Sequence, residues 1–169
     1  DHMLAQEFVP SATAQLEMVM LKVSRAGISD MHVFITDNST QVSNEMIVPG
    51  SSVGATLQWV DVHFDTSVIL EAGRTYYIVV RAGSYDWNWG GDTADPYAAG
   101  QAWWSQTGTS WAPMAGVDMN FQTYMTTIHN KIYDINDLQD INLNLTGNYA
   151  LMNDIDASET ATWNGGLGF

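Results

Sequence analysis

Alternation with a period of two dominates residues 14–126, and turn-forming residues interrupt it at short intervals. Such a period puts successive side chains on opposite faces of an extended chain, so each run has at least one face to bury. Runs rich in β-branched and aromatic residues span 14–24, 31–36, 58–65, 75–82 and 118–126. In the first, Leu16, Met18 and Met20 fall on one face and Val19, Leu21 and Val23 on the other. Between the runs lie Arg25-Ala26-Gly27, Asp37-Asn38-Ser39, Pro49-Gly50-Ser51-Ser52, Glu71-Ala72-Gly73-Arg74 and Ala82-Gly83-Ser84, whose Gly, Pro and Asn positions suit tight turns. Roughly six to nine strands on short connections predict an all-β fold with antiparallel pairing, a sandwich or a barrel.

The texture changes near Thr127. Ile132, Ile135, Leu138 and Ile141 recur at a helix-like spacing, which predicts a short helix around 135–141 capped by Asp134 or Asn136. Alternation resumes around Gly147, and Asn153-Asp154-Ile155-Asp156 follows as an acidic turn. A chain of 169 residues holds one domain of ordinary size and a remainder of about 40. The expected division is 4–127 for the β-domain and 128–169 for a linker and the start of a second β-domain. Asp1, His2 and Met3 read as a cloning scar outside the β-domain. The closing Trp163-Asn164-Gly165-Gly166 reads as the interior of a longer protein, so the rest of a parent polypeptide is an expected partner.

Charge narrows the partners. Five Lys+Arg against 19 Asp+Glu give a formal charge of -14, which sets net repulsion against nucleic acid. Only 14% of residues are charged, while hydroxyl, amide and indole side chains abound, a surface chemistry common in extracellular β-proteins. Cysteine is absent, which removes disulfides and thiolate metal sites. No apolar run reaches the roughly 18 residues of a membrane span, so direct membrane insertion is not expected.

Several phrases carry a resemblance. Leu4-Ala5-Gln6-Glu7-Phe8-Val9-Pro10, the run from Trp59 to Phe64, that from Val68 to Val80, Tyr97-Ala98-Ala99-Gly100-Gln101-Ala102 and the run from Val117 to Tyr124 are similar to phrases of jelly-roll-like accessory domains of bacterial and archaeal surface proteins. The resemblance covers residues 4–127 and implies an antiparallel jelly-roll-like β-sandwich, extracellular or at the cell surface. Residues 131–169 resemble the opening of a GLUG-type or filamentous-haemagglutinin-like β-solenoid. This second likeness rests on Ile132, Asp137-Leu138, Ile141, Gly147-Asn148-Tyr149-Ala150-Leu151, Asn153-Asp154-Ile155-Asp156 and Trp163-Asn164-Gly165. A solenoid buries its core only when about three rungs stack, so one rung or cap is expected here as a helix-plus-strand extension.

Functional chemistry concentrates at 85–111, where Tyr85, Trp87, Trp89, Tyr97, Trp103, Trp104 and Trp111 crowd a segment rich in Gly, Asp and Ser. Flat aromatic faces can stack on a sugar ring while amides and carboxylates serve its hydroxyls, which makes a polysaccharide or cell-surface glycan the expected ligand. The expected carbohydrate-binding residues are Trp87, Trp89, Trp103, Trp104, Tyr85 and Asp86. The competing reading is that these rings plug one end of the fold with their indole N–H groups satisfied by loop carbonyls. Trp103 and Trp104 must point to opposite faces of a strand, whereas Trp87 and Trp89 share one, and Gly90-Gly91 after them suggests a turned loop rather than a core strand. Trp111 reads as structural.

Asp92, Asp95 and Asp118 could offer oxygen ligands to calcium, although their spacing fits no EF-hand and loop aspartates also cap turns. His32, His63 and His129 are too scattered to suggest zinc. No carboxylate pair, Ser-His-Asp order, G-x-S-x-G elbow or phosphate loop stands out, so a non-catalytic module is expected, with any catalysis lying elsewhere in the parent protein. A spacer or adhesin module without a small ligand is the alternative.

Overall fold

The structure is a computed structural model that describes residues 2–168 except 39, 84, 85, 95, 128, 129, 147 and 148. The chain divides into two compact units, 1–126 and 127–169.

Among the described residues, the first unit contains β1 (His2–Phe8), β2 (Ala14–Arg25), β3 (Met31–Asp37), β4 (Thr40–Gln41), β5 (Met46–Val48), β6 (Gln58–Leu70), β7 (Tyr76–Ala82), β8 (Trp87–Trp89), β9 (Gly91–Asp92), β10 (Ala102–Ser105), β11 (Ala112–Met114), β12 (Asp118–Met119) and β13 (Phe121–Thr127). One sheet runs β11-β10-β1-β7-β3-β4 with β5 also on β3. A second runs β13-β2-β6 with β8 on β2, and β12 pairs with β9 alone. The pairs β1–β10, β1–β7, β10–β11, β12–β9, β2–β6, β2–β8, β3–β4, β3–β5 and β3–β7 are antiparallel. Pairing extends to His2 and Met3, which oppose Ala82 and Arg81. Those two residues, expected to lie outside the β-domain, therefore belong to β1.

Both large sheets feed one core. Leu16, Val19, Leu21 and Val23 of β2 and Val62, Val68 and Leu70 of β6 join Val33 and Ile35 of β3 and Ile78 and Val80 of β7 in a single buried cluster. Period-two alternation explains most of these positions, and β2 shows where it fails. Leu16, expected beside Met18 and Met20, lies with Val19, Leu21 and Val23 instead, because the register with β6 shifts between Leu16 and Met18. Two positions along β2 there match five along β6, an irregularity in the ladder beyond which the buried face of β2 resumes shifted by one residue.

One polar pair sits within this apolar interior. Gln6 and Asp118 are 0% and 1% exposed, and the Gln6 amide donates to Asp118 Oδ1 at 3.0 Å while Gln6 Oε1 accepts from Met119 N at 2.6 Å. Asp118 Oδ2 accepts from Tyr97 N at 2.9 Å. The exchange ties β1 to β12 and to the 97–100 turn, satisfying groups that would be costly to bury alone.

The second unit holds β14 (Asn130–Ile132), α1 (Ile135–Asp140) and β15 (Tyr149–Leu151). The helix begins where the sequence predicts: the Asp134 carboxylate accepts from Asn136 N and Asp137 N at 2.8 and 3.0 Å, and Asp137 reaches back to Tyr133 N at 2.9 Å. In contrast to the first unit, β14 and β15 pair in parallel. Among its described residues the buried apolar side chains are Ile132 and Ile135, while Leu143, Leu145, Leu151 and Leu167 are exposed.

Candidate functional site

Cross-strand register arranges the seven-stranded sheet into rows of side chains. Pro113, Trp103, Ala5, Val79 and Phe34 are successive partners across β11, β10, β1, β7 and β3. The adjoining row, Trp104, Leu4, Val80 and Val33, faces the other way, and its Leu4, Val80 and Val33 pack in the core. The first row therefore lies on the face turned away from that core. Its ends are bulky and its centre is small, which makes a trough. Three inter-strand steps from β10 to β3 give it a width of about 14 Å.

Beside this row stand Tyr77 and Thr36, cross-strand partners on the same face, followed by Gln41 opposite Thr36. A loop closes the other side. Ser105, 1% exposed, accepts through its hydroxyl from Thr107 N at 3.3 Å and Gly108 N at 2.9 Å, and the Trp111 indole donates to Gly108 O at 3.2 Å. Gly108 has φ +79°, a conformation that side chains disfavour, and a Cβ there would meet Met3 Sδ at 2.9 Å. Together these parts enclose a cavity of about 650 Å³, a size typical of small-molecule sites.

The lining has a distinct chemistry. Trp103, Trp111, Tyr77 and Phe34 supply rings, Thr36, Asn38, Gln41, Thr107 and Thr109 supply neutral hydroxyls and amides, and among the described residues none that lines it is an Asp, Glu, Lys, Arg or His. The Trp103 indole N–H is directed to Glu7 Oε2 at 3.3 Å, which fixes the ring's orientation. Asn38 is exposed with φ 49°, a left-handed conformation that asparagine tolerates better than most residues. Burial and the nearby Glu7 charge hold the Tyr77 hydroxyl above its ordinary pKa of 10.0, so it remains a neutral donor at physiological pH.

The tryptophans expected to form a platform divide between this trough and a second place. Trp87, Trp89 and Trp104 line a cavity of about 200 Å³ whose other walls include the core residues Val23, Met31 and Val80. Trp87 and Trp89 do share a face, but it is the one turned to the core. Their segment is the strand β8, paired with Val23–Arg25 of β2, rather than a turned loop. Trp89 is 7% exposed and donates to Asn120 O at 2.9 Å, and Trp87 donates to Ser29 O at 2.9 Å. Of the two rings expected to form a platform, Trp89 is buried and Trp87 half-buried, each with its indole N–H on a backbone carbonyl as a buried indole requires. Trp103 and Trp104 point to opposite faces as a strand requires, and Trp104 is 45% exposed.

Asp86 organises a turn. Its Oδ2 accepts from Ser29 N at 3.0 Å, and its carbonyl accepts from Ala26 N and Gly27 N at 2.6 and 3.0 Å. The bonds from Ser29 hold its carboxyl below the ordinary value. A Cβ on Gly27 would fall 1.8 Å from Asp86 Oδ1, so only glycine leaves room for this carboxylate. Of the acidic residues expected at a calcium site, Asp92 and Asp118 are cross-strand partners, with Asp92 exposed and Asp118 buried on Gln6 and Tyr97. Asp92 Oδ1 accepts from Ala94 N at 2.8 Å, a turn-capping bond. Among the described residues no three His, Cys, Asp or Glu gather as a metal-ligating group. Tyr85 and Asp95 lie outside the described residues.

Sequence reasoning included Trp103 but ranked Trp111 as structural and missed Tyr77, Phe34 and the polar rim. A signal for the trough does exist: Tyr76-Tyr77-Ile78-Val79-Val80 is apolar on both faces, which marks a strand covered on both sides. No protein-family model matches the chain, and no curated protein or solved structure matches it either.

Proposed function

We propose that the first unit is a non-catalytic carbohydrate-binding module of jelly-roll type, carried at the cell surface or in the extracellular space by a larger protein, and that the outer-face trough is its site. The observation that carries this reading is the lining itself: aromatic faces opposite neutral hydroxyls and amides, in a cavity of about 650 Å³. Sugar rings offer C–H faces that stack on indoles and hydroxyls that exchange hydrogen bonds, and both needs are met on one surface. The carboxylates near the trough have partners, Glu7 in the Trp103 indole, Glu45 in His32 and Arg81, and Asp37 in Arg74. This supports retention of a ligand rather than hydrolysis. The second unit fits the opening of a β-solenoid, with the parallel β14–β15 pair in support.

The alternative, a spacer with no small ligand, draws support from the burial of Trp89 and the satisfied indoles of Trp87 and Trp111. Native electrophoresis through gels containing soluble polysaccharides separates the two. Retardation by at least one polysaccharide, absent for Trp103→Ala and unaffected by chelation of calcium, is the expected result. Unretarded migration across a broad panel, by protein with an intact near-UV circular dichroism spectrum, would overturn the reading.

A further inference from the structure

We infer that the trough selects an uncharged glycan and discriminates against uronate-containing or sulfated chains of the same backbone. This inference rests on the carbohydrate reading above and narrows it to a ligand class. The chain carries a formal charge of -14, yet among the described residues the trough's lining contains no Asp, Glu, Lys, Arg or His. A ligand hydroxyl entering it finds neutral partners of matching chemistry: the Tyr77 hydroxyl, the Thr36, Thr107 and Thr109 hydroxyls, and the exposed Asn38 amide. A ligand carboxylate or sulfate finds no cation, and moving an ion out of water without a partner costs more than any neutral hydrogen bond returns.

The charges bordering the trough do not change this balance. Arg81 and His32, cross-strand partners on the same face, both engage Glu45. Glu7, opposite Tyr77, lies near the trough as a negative charge and receives the Trp103 indole. Arg74 is committed to Asp37 and Glu71, the latter at 3.2 Å. The long-range field of a net-negative protein adds repulsion for any polyanion, although salt screens that part.

The test uses matched pairs, each a neutral polysaccharide and its acidic counterpart: a β-glucan and its C6-oxidised form, a galactan and its C6-oxidised form, a mannan and mannuronan. Isothermal titration of the full chain measures each pair at low and at moderate salt. The expected result is binding to at least one neutral member, at least about tenfold tighter than to its acidic partner, with little change as salt rises. Thr109→Lys, which sets a cation at the rim, should narrow that gap by strengthening the acidic member. Equal or tighter binding of the acidic member by the unaltered chain would overturn the inference while leaving the carbohydrate reading intact. Failure of every neutral and acidic member to bind would remove both.

Discussion

Tryptophans gather at two places in the first unit, and the comparison between them separates scaffold from candidate site. At the end of the core, Trp87 and Trp89 sit on a strand paired with β2, with N–H groups donated to the carbonyls of Ser29 and Asn120. On the outer face, Trp103 rises from a row whose centre is Ala5 and Val79, and faces a polar rim. Neighbouring residues of one strand serve both places: Trp103 borders the trough and Trp104 the core-end cavity. Strand alternation alone produces this division. A cluster of aromatic residues in a sequence thus becomes two clusters once the face of each ring is known.

Substitutions at the two places should have unlike consequences. Trp89→Ala removes a ring that is 7% exposed from the core and should cost about 3–5 kcal/mol of unfolding free energy. Urea denaturation checks this, and a loss smaller than that of Trp104→Ala would break the distinction between core and rim.

Asp118→Ala should follow, at about 1–3 kcal/mol, because it removes the acceptor of the Tyr97 N–H and one of the two acceptors of the buried Gln6 amide, which keeps only Glu7 O. Its melting temperature should fall equally with and without added calcium. A calcium-dependent rise in the unaltered chain that vanishes in Asp118→Ala would assign Asp118 to a metal instead of the scaffold.

Gly108→Ala should cost about 1 kcal/mol through its left-handed backbone. It should also loosen the loop that carries Trp111, so ligand affinity should fall more than stability does. Equal losses in both would indicate that the loop belongs to the scaffold.

The smallest effect concerns pH. Because the folded-state pKa of Asp86 is depressed by its bonds from Ser29, its stabilisation is complete above the ordinary value of 3.8 and is lost as pH falls through the lower folded value. Unfolding midpoints of the unaltered chain and Asp86→Asn, measured from neutral pH downward, should differ by a constant amount until that window and converge within it. A gap that persists into stronger acid would remove Asp86 from the charge-dependent part of the turn.

Much of the scaffold is legible in the sequence because alternation and turn chemistry act locally. The strands expected at 31–36 and 75–82 occur as Met31–Asp37 and Tyr76–Ala82, and Asp134 caps α1 as its position suggests. The shift of face inside β2 is not legible, since the irregularity lies in the pairing with β6 rather than in any residue at 16–18. The site is legible in composition and not in placement. Trp103 and Phe34 stand 69 positions apart in the chain yet share a row, and only the order β10-β1-β7-β3 brings them together. Trp87 and Trp89 stand beside glycines, a local mark of a loop, but pairing with β2 overrides it.

The central claim, that the outer-face rings and not the core-end rings hold a glycan, is tested most directly by titrating one neutral polysaccharide into the unaltered chain, Trp103→Ala, Trp111→Ala and Trp104→Ala by calorimetry. Saturable binding that weakens at least about tenfold in the first two variants and persists in Trp104→Ala is the predicted result. Loss of binding in Trp104→Ala with full retention in Trp103→Ala and Trp111→Ala would contradict it.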